Sequence, residues 1–232
     1  MKLLPLFVAL SALLASGAAG AEADRDVPLG IEAVTGIRSD YVYRGFNLAG
    51  AVLDFQVESE LALGRDFYLD MGGWFAAGAA SDFSELSGLV DLRRTLSDRF
   101  SLGGILAYHS FDESLFRSGF DLGLYLSYFP ADDWAFTAEA RHDFAASGWY
   151  GNAEARWSGR LTDDAFLTVR SGLSVVDGYY QRSGFNDLHA RASFTYNINR
   201  IVSVSPFLGG SVELLDGDGN ELFAGLWFEV SF

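Results

Sequence analysis

Charged side chains occupy every second position in several stretches of the chain. Between Ala51 and Leu63 the even positions include Asp54, Glu58 and Glu60, whereas the odd positions are mostly apolar. Successive side chains of a β-strand point to opposite faces, so these acids share one face of a strand. A carboxylate face of this kind can attract cations or pair with arginines, and it has to lie away from lipid or an apolar core.

The same alternation along the whole chain gives a set of candidate residues for the interior of a barrel. They are the charged residues on the more polar parity of their segments: Arg38, Asp40, Arg44, Asp54, Glu58, Glu60, Asp70, Asp91, Arg93, Asp121, Glu139, Arg141, Glu154, Arg156, Arg170 and Arg191. Acids outnumber arginines on this parity, which predicts a net negative interior. Because an arginine fork can pair with two carboxylates, two interpretations stay open: an ion-paired lumen that fills the barrel, and a conducting pore that prefers cations.

Twelve segments show this period of two, and together they predict an all-β, closed, antiparallel transmembrane barrel. The segments are 30–46, 51–63, 67–78, 83–96, 100–111, 119–129, 134–144, 148–158, 165–176, 186–197, 201–213 and 221–232. Aromatic residues make up 15% of the chain, and 26 glycines stand against 4 prolines, a composition typical of such strands and their turns. In lipid, unpaired backbone amides are costly, so a spanning sheet has to close.

The connections between the segments alternate in length. Short polar turns are predicted at 64–66, 97–99, 130–133, 159–164 and 199–200, after every second segment. Longer connections are predicted at 112–119, 177–185 and 214–220. Short turns at one end and longer loops at the other are typical of outer-membrane barrels.

The first residues of the chain have the pattern of an export signal. Lys2 is followed by a short apolar run and by small residues that end at Ala21. This pattern predicts a signal peptide over residues 1–21, cleaved near Ala21, and a single barrel domain over 22–232. The chain has no cysteine, so no disulfide framework is predicted. Its net charge of −15 argues against nucleic-acid partners, whose phosphates it would repel.

Apolar residues alternate up to the last residue of the sequence, Phe232. Leu222, Ala224, Leu226, Phe228 and Val230 share its parity. This pattern resembles the C-terminal assembly signal of bacterial outer-membrane barrels, whose last strand closes the sheet against the first. The resemblance implies that the barrel-assembly machinery, outer-membrane lipid and lipopolysaccharide are partners, and that the protein is located in the bacterial outer membrane.

The first segment carries a short motif, Arg38-Ser39-Asp40-Tyr41-Val42-Tyr43-Arg44-Gly45-Phe46. It resembles the S-D-Y-x-x-R-G signature of the TorF-type porins, small outer-membrane proteins, although Phe46-Asn47 departs from the Ile-Ser of that family. The resemblance implies a β-barrel with a passive transport role. From the residues themselves, Arg38, Asp40 and Arg44 share a parity and are expected to form a charge ladder along one strand. Gly45 is expected to allow a bend at the outer rim.

The histidines offer little for catalysis. His109 and Ser110 are adjacent, so their side chains point to opposite faces of a strand, and His189 lies between Asp187 and Arg191. His142 lies on the apolar parity and is expected near a strand end. The sequence therefore predicts that the protein is not an enzyme, although pairing across strands is left open.

No metal site or cofactor is predicted. Residues Asp216–Glu221 look like the start of a calcium loop, but the distal glutamate of the full pattern is absent, and the same residues suit a tight turn.

The function predicted from the sequence is a porin or narrow channel for small solutes that are cationic or neutral. The alternative is a non-conducting barrel with a packed, ion-paired lumen that serves as a structural or partner-binding envelope protein.

Overall fold

The computed structural model describes residues 29–112, 115–215 and 219–232, and it is an all-β protein. Twelve strands form one closed antiparallel barrel, and two shorter strands form a separate hairpin. In chain order they are β1 (Leu29–Arg38), β2 (Tyr41–Tyr43), β3 (Phe46–Ala49), β4 (Val52–Ala62), β5 (Phe67–Gly78), β6 (Ser84–Ser97), β7 (Phe100–Asp112), β8 (Gly119–Ala131), β9 (Trp134–Asp143), β10 (Gly148–Arg160), β11 (Ala165–Tyr179), β12 (Arg182–Asn197), β13 (Val202–Glu213) and β14 (Asn220–Ser231). The predicted fold class and the count of twelve barrel strands are confirmed. Within the described residues, no helix is long and apolar enough to cross a membrane.

The barrel closes between its first and last strands. β14 pairs antiparallel with β1, with Thr35 opposite Phe228 and Arg38 opposite Gly225. The ladder continues to the last residue, because the Phe232 amide donates to the Ile31 carbonyl at 2.8 Å. The sheet therefore has no free edge at this seam, as the alternation near Phe232 predicted.

The outer surface is apolar and carries aromatic pairs near both ends. Leu124 and Leu222 point outward and are 66% and 72% exposed. Near one end Phe100 stacks on Tyr128 with ring centroids 4.8 Å apart, and near the other His142 packs on Trp149 at 5.0 Å. An apolar belt between two aromatic girdles is the pattern of barrels that sit in a bilayer.

The two ends of the barrel differ in their connections. The end that we call the turn end has the five predicted short turns, which link β4–β5, β6–β7, β8–β9, β10–β11 and β12–β13. The opposite end, which we call the loop end, has the longer connections, except that the β9–β10 connection has only four residues, 144–147, and the β11–β12 connection has two. The predicted loop over 177–185 is wrong: β11 and β12 continue beyond the prediction and are joined by Tyr180 and Gln181 alone, with φ of 49° and 69°. Positive φ at both positions gives a turn that follows the strand twist, so a two-residue hairpin replaces the loop.

The first predicted segment, 30–46, is also wrong as a single strand. β1 ends at Arg38, and the chain then leaves the barrel wall to form the β2–β3 hairpin before it rejoins the wall at Val52. The hairpin turn consists of Arg44 and Gly45, with φ of 50° and 78°. The other barrel strands begin and end within a few residues of the predicted segments. The predicted signal peptide and half of the calcium-like loop, residues 216–218, lie outside the described residues.

Candidate functional site

The candidate site is the lumen of the barrel, and its loop half is crossed by residues 39–51, which we call the inserted segment. On one side the Tyr41 hydroxyl donates to Glu85 of β6 at 2.6 Å. On the other, Asn186 of β12 donates to the Arg44 carbonyl at 2.8 Å. β6 and β12 lie on opposite sides of the ring of strands. The inserted segment therefore spans the lumen instead of lining one wall.

Arg44 is the central contact of the inserted segment. Its guanidinium is 6% exposed; it donates to Asp121 of β8, to Asp143 of β9 at 3.5 Å, and to the Tyr179 hydroxyl at 3.0 Å. The ring of Tyr150 lies 4.8 Å from the guanidinium carbon. A buried arginine with two carboxylates and aromatic faces around it is paired well enough to offset its loss of hydration.

The hairpin tip requires glycine next to Arg44. A Cβ atom on Gly45 would lie 2.7 Å from the Asn186 amide nitrogen and 2.9 Å from the Asp187 Cβ. The positive φ of Gly45 also disfavours a larger residue. The expected bend at Gly45 is therefore present, as the tip of a hairpin inside the barrel.

The expected charge ladder of Arg38, Asp40 and Arg44 along one strand is wrong. Arg38 is the last residue of β1 and makes two hydrogen bonds to Asp54 of β4, at 2.7 and 2.8 Å. Asp40 lies between β1 and β2, and Arg44 lies in the hairpin turn. The chain leaves the wall after Arg38, so strand parity no longer relates the three side chains.

His109 connects the inserted segment to β6. Its Nδ1 atom is 2.7 Å from the Ser87 hydroxyl and 3.2 Å from Glu85, and its Nε2 atom is 3.3 Å from the Tyr43 hydroxyl. The sequence left such pairing across strands open, and register provides it, because Ser87 lies directly opposite His109. Ser87 is 7% exposed, so this Ser–His contact is packed beneath the inserted segment, away from the cavities described below.

The Tyr41 hydroxyl is protonated, as its hydrogen bond to Glu85 requires. Burial raises the pKa of its hydroxyl well above the ordinary value, and the neighbouring Glu85 carboxylate raises it further. The hydroxyl therefore stays protonated at neutral pH and donates to Glu85.

The other two histidines have different surroundings. His189 points into the lumen, with Nδ1 at 3.0 Å from Asp187 and Nε2 at 3.8 Å from Glu154. His142 lies at the end of β9 on the outer face, beside Phe144 and Trp149.

The turn half of the lumen contains two cavities. The first, which we call the acidic cavity, has a volume of about 480 Å³ and includes Ser231 at the turn end. Its carboxylates come from β1, β4, β5 and β6: Glu32, Glu58, Glu60, Asp70 and Asp91. Within this group, Glu60 accepts from Arg93 at 2.6 Å and Asp91 accepts from Tyr125 at 2.9 Å. Four of the predicted lumen residues, Glu58, Glu60, Asp70 and Asp91, are thus brought together.

The second cavity, which we call the arginine cavity, has a volume of about 390 Å³. Its charged lining residues are Asp70, Arg93, Glu154, Arg156 and Arg170. Asp70 borders both cavities, so they adjoin within the lumen.

Three more predicted lumen residues, Glu139, Arg141 and Arg191, border neither cavity. Arg141 donates to Glu139 at 2.8 Å on the same strand. Arg191 of β12 packs over the rings of Trp227 and Phe207, with its guanidinium carbon 4.4 and 5.3 Å from their centroids.

The sequence reasoning missed the neutral side chains of the lumen. The hydroxyls of Ser101, Ser127 and Thr137 lie side by side on β7, β8 and β9 and border the arginine cavity, together with Tyr125. Ser127 shares its parity with Asp121 on β8 and Thr137 with Glu139 on β9, whereas Ser101 shares its parity with His109 on β7. Strand parity alone could have found them, because a lumen-facing position need not be charged.

Comparison with solved structures identifies similar barrels. The KdgM porin, solved in complex with disordered oligogalacturonate, is 11% identical and has a TM-score of 0.58, over 88% of this chain and 99% of that chain. The NanC porin is 11% identical with a TM-score of 0.58, over 87% and 98%. An outer-membrane channel from Pseudomonas putida F1 is 14% identical with a TM-score of 0.59, over 92% and 98%. No protein-family model and no curated protein matches the chain. At these identities the likeness shows the fold, a twelve-stranded barrel like those of outer-membrane porins.

Proposed function

We propose that this protein is an outer-membrane barrel that works as a narrow channel for small solutes that are cationic or neutral. The observation that carries the proposal is the contrast between the outer and inner faces of a closed sheet. The outer face is apolar, and the lumen bears charged side chains and two adjoining cavities in its turn half. Carboxylates and guanidinium groups at the outer face would be costly in lipid, whereas in a water-filled lumen they can act on a solute.

The proposed location in the bacterial outer membrane includes export by a signal peptide cleaved near Ala21. Outer-membrane lipid and lipopolysaccharide would contact the apolar belt, and the barrel-assembly machinery would recognise the strand that ends at Phe232. The turn end, which holds both Leu29 and Phe232, would face the periplasm, since short turns on that side are the habit of such barrels.

Membership of the TorF-type porins is part of this proposal. The nine residues that resemble that family, Arg38 to Phe46, include the last residue of β1 and the tip of the inserted segment. A motif that crosses the lumen is placed where it would set the width of a channel.

The preference for cations follows from the acidic cavity. Its carboxylates come from four strands that are neighbours in the ring, and a wall of low dielectric constant concentrates their field in the lumen. Small cations would therefore be enriched at this wall relative to anions.

The packing of the loop half supports a second candidate function. The inserted segment contacts opposite walls, and Arg44, Tyr179 and Asp121 are buried where it crosses. A barrel closed at this level would be a non-conducting envelope protein, with a structural or partner-binding role.

Single-channel recording in planar bilayers separates the two functions. We expect discrete conductance steps, and in a potassium chloride gradient a reversal potential of the sign for potassium. Arg160→Gln is a matched control, because Arg160 pairs with Asp163 at 2.6 Å at the turn end and both side chains are mostly exposed. Folded protein that gives no steps would favour the non-conducting barrel, and an anion-selective reversal potential would contradict the assigned cation preference.

A further inference from the structure

Three arginines lie side by side on the inner wall of the turn half. Arg156 of β10 is directly opposite Arg170 of β11, and Arg170 is directly opposite Arg191 of β12. Their neighbours across the next strands are Ala135 and Gly209, which have almost no side chain. The wall therefore has a cationic row, which we call the arginine row; the Ala135 side borders the arginine cavity, whereas the ring of Phe223 fills the space over Gly209.

The arginine row forms no close ion pair with a carboxylate among the described residues, although Glu154 borders the same cavity and interacts electrostatically with Arg170. Among the described residues, no acid lies within ion-pair distance of Arg156, Arg170 or Arg191. The carboxylate on the same face, Glu154, lies 3.8 Å from His189 instead. Directly opposed side chains have Cβ atoms about 5 Å apart, and like charges at this spacing destabilise a sheet. Elsewhere in the lumen the arginines are paired: Arg38 with Asp54, Arg93 with Glu60, and Arg141 with Glu139.

Neutral donors lie beside the row. Arg156 and Arg170 border the arginine cavity, and Ser101 borders it as well. Ser101 is 4% exposed, and its hydroxyl has no hydrogen-bond partner among the described residues. The neighbouring Ser127 and Thr137 hydroxyls, in contrast, bond to each other at 3.0 Å. A buried hydroxyl without a partner is costly unless a ligand or water satisfies it.

Two further buried donors, the Nε atoms of Arg93 and Arg191, also lack a hydrogen-bond acceptor among the described residues. Arg93 borders the arginine cavity beside Arg156 and Arg170. Two unmatched donors, the Ser101 hydroxyl and the Arg93 Nε, thus border the cavity together with the charges of Arg156 and Arg170, whereas Arg191 lies outside its lining. The cavity offers about 390 Å³, a volume that suits a small organic ligand.

We propose that the arginine row and Ser101 form a binding site for the oxyanion group, carboxylate or phosphate, of a small solute. Guanidinium forks bind planar carboxylates and phosphates through two parallel hydrogen bonds, which a halide ion cannot match. An oxyanion at this site would neutralise the repulsion within the row and accept from the Ser101 hydroxyl. The site goes beyond the proposed preference for cationic or neutral solutes, because it would take a solute that carries an anionic group. It rests on the proposed channel function for access from solution, and it adds an anion-binding wall to a lumen whose other wall is acidic.

The test is isothermal titration calorimetry on the folded barrel in detergent, with inorganic phosphate and with acetate as probes at about 0.1 M salt. We expect saturable binding of at least one probe. Arg156→Gln with Arg170→Gln should weaken it at least tenfold, and Ser101→Ala should weaken it severalfold. Arg156→Lys with Arg170→Lys keeps the charge but loses the forks, so it should also weaken binding. Arg160→Gln is the matched control and should bind as the unmodified protein does.

The glutamine variants should fold, because they remove repulsion and break no ion pair; heat-modifiable migration on gels verifies this. Binding of phosphate alone or of acetate alone would support the site and identify the group that it takes. The absence of saturable binding for both probes would overturn the proposal, as would equal weakening by Arg160→Gln. If the barrel binds a probe but gives no conductance, the binding site is supported and the channel function is contradicted. If it conducts but binds neither probe, the channel function is supported and the binding site is contradicted.

Discussion

The two halves of the lumen use the same residue types in different ways. In the loop half, Arg38 and Arg44 are paired with carboxylates and buried against aromatic rings. In the turn half, Arg156, Arg170 and Arg191 face each other without a close ion pair to a carboxylate among the described residues, and the first two border the arginine cavity. Pairing fixes the inserted segment in place, whereas unpaired charge is available to a solute. Under the proposed channel function, the loop half would determine whether the barrel is open, and the turn half would determine what it binds.

The comparison also separates two roles for carboxylates. Asp121 and Asp143 are buried and contact Arg44, so they hold structure. Glu58 is exposed to the lumen, borders the acidic cavity and has no ion-pair partner among the described residues, whereas the neighbouring Glu60 pairs with Arg93. A charge count over the whole lumen merges these groups, although only the second can act strongly on an ion in solution.

The largest expected effect comes from removing the inserted segment. Replacement of Tyr41–Ala49 by a short glycine-serine linker removes the segment that crosses the lumen and leaves all twelve wall strands. We expect the single-channel conductance in planar bilayers to rise severalfold, because the narrowest part of the path is lost. A matched replacement of the exposed turn 161–164 should leave the conductance unchanged. If both replacements conduct like the unmodified protein, the inserted segment is not the constriction.

The next effect concerns stability. Arg44→Gln leaves Asp121 and Asp143 buried without their cation, and breaking a buried pair in this way costs about 3–5 kcal/mol. Arg160→Gln breaks an exposed pair and should cost no more than about 1 kcal/mol. Urea unfolding of the folded barrel, followed by tryptophan fluorescence, measures the free energy of unfolding of each variant. Equal losses would show that Arg44 does not fix the inserted segment.

The strands could be predicted from the sequence because apolar and polar residues alternate along a strand that has one face toward lipid and the other toward the lumen. The segment 51–63 shows this most clearly, and β4 covers Val52–Ala62. The same alternation could not show the inserted segment, because it continues past the end of β1. Arg38, Asp40 and Arg44 keep one parity across the point where β1 ends, and an arginine with positive φ is an uncommon turn residue.

The arginine row could not be predicted, because it depends on register between separate strands. Arg156, Arg170 and Arg191 each appear on the lumen parity of their own segments. Their alignment follows from the lengths of the connections, because the two register shifts between β11 and β12 cancel before Arg170 meets Arg191. A one-residue shift would have moved each side chain to the other face. Parity therefore predicts which face a residue takes, and register determines its neighbours.

The smallest expected effect is on ion selectivity, and its test compares two acids of the same strand, one in each half of the lumen. Asp54 and Glu58 both lie on β4 and both point inward, but Asp54 is 5% exposed and bound by Arg38, whereas Glu58 borders the acidic cavity. Glu58→Gln should lower the permeability ratio of potassium to chloride by a factor of about two to five, since one charge at 4–8 Å in a water-like medium contributes about 0.5–1 kcal/mol.

The matched variant Asp54→Asn should change stability and leave ion selectivity nearly unchanged. It leaves the Arg38 guanidinium without its carboxylate and should lower the free energy of unfolding, while the permeability ratio changes little, because both side chains are mostly buried and border neither cavity. Reversal potentials in a potassium chloride gradient and urea unfolding of both variants give the two quantities. Higher salt should shrink the effect of Glu58→Gln, because mobile ions screen a charge that faces solution. If Asp54→Asn changed selectivity as much as Glu58→Gln, the loop half would also act on ions, and the division of the lumen into a fixed half and a binding half would be wrong.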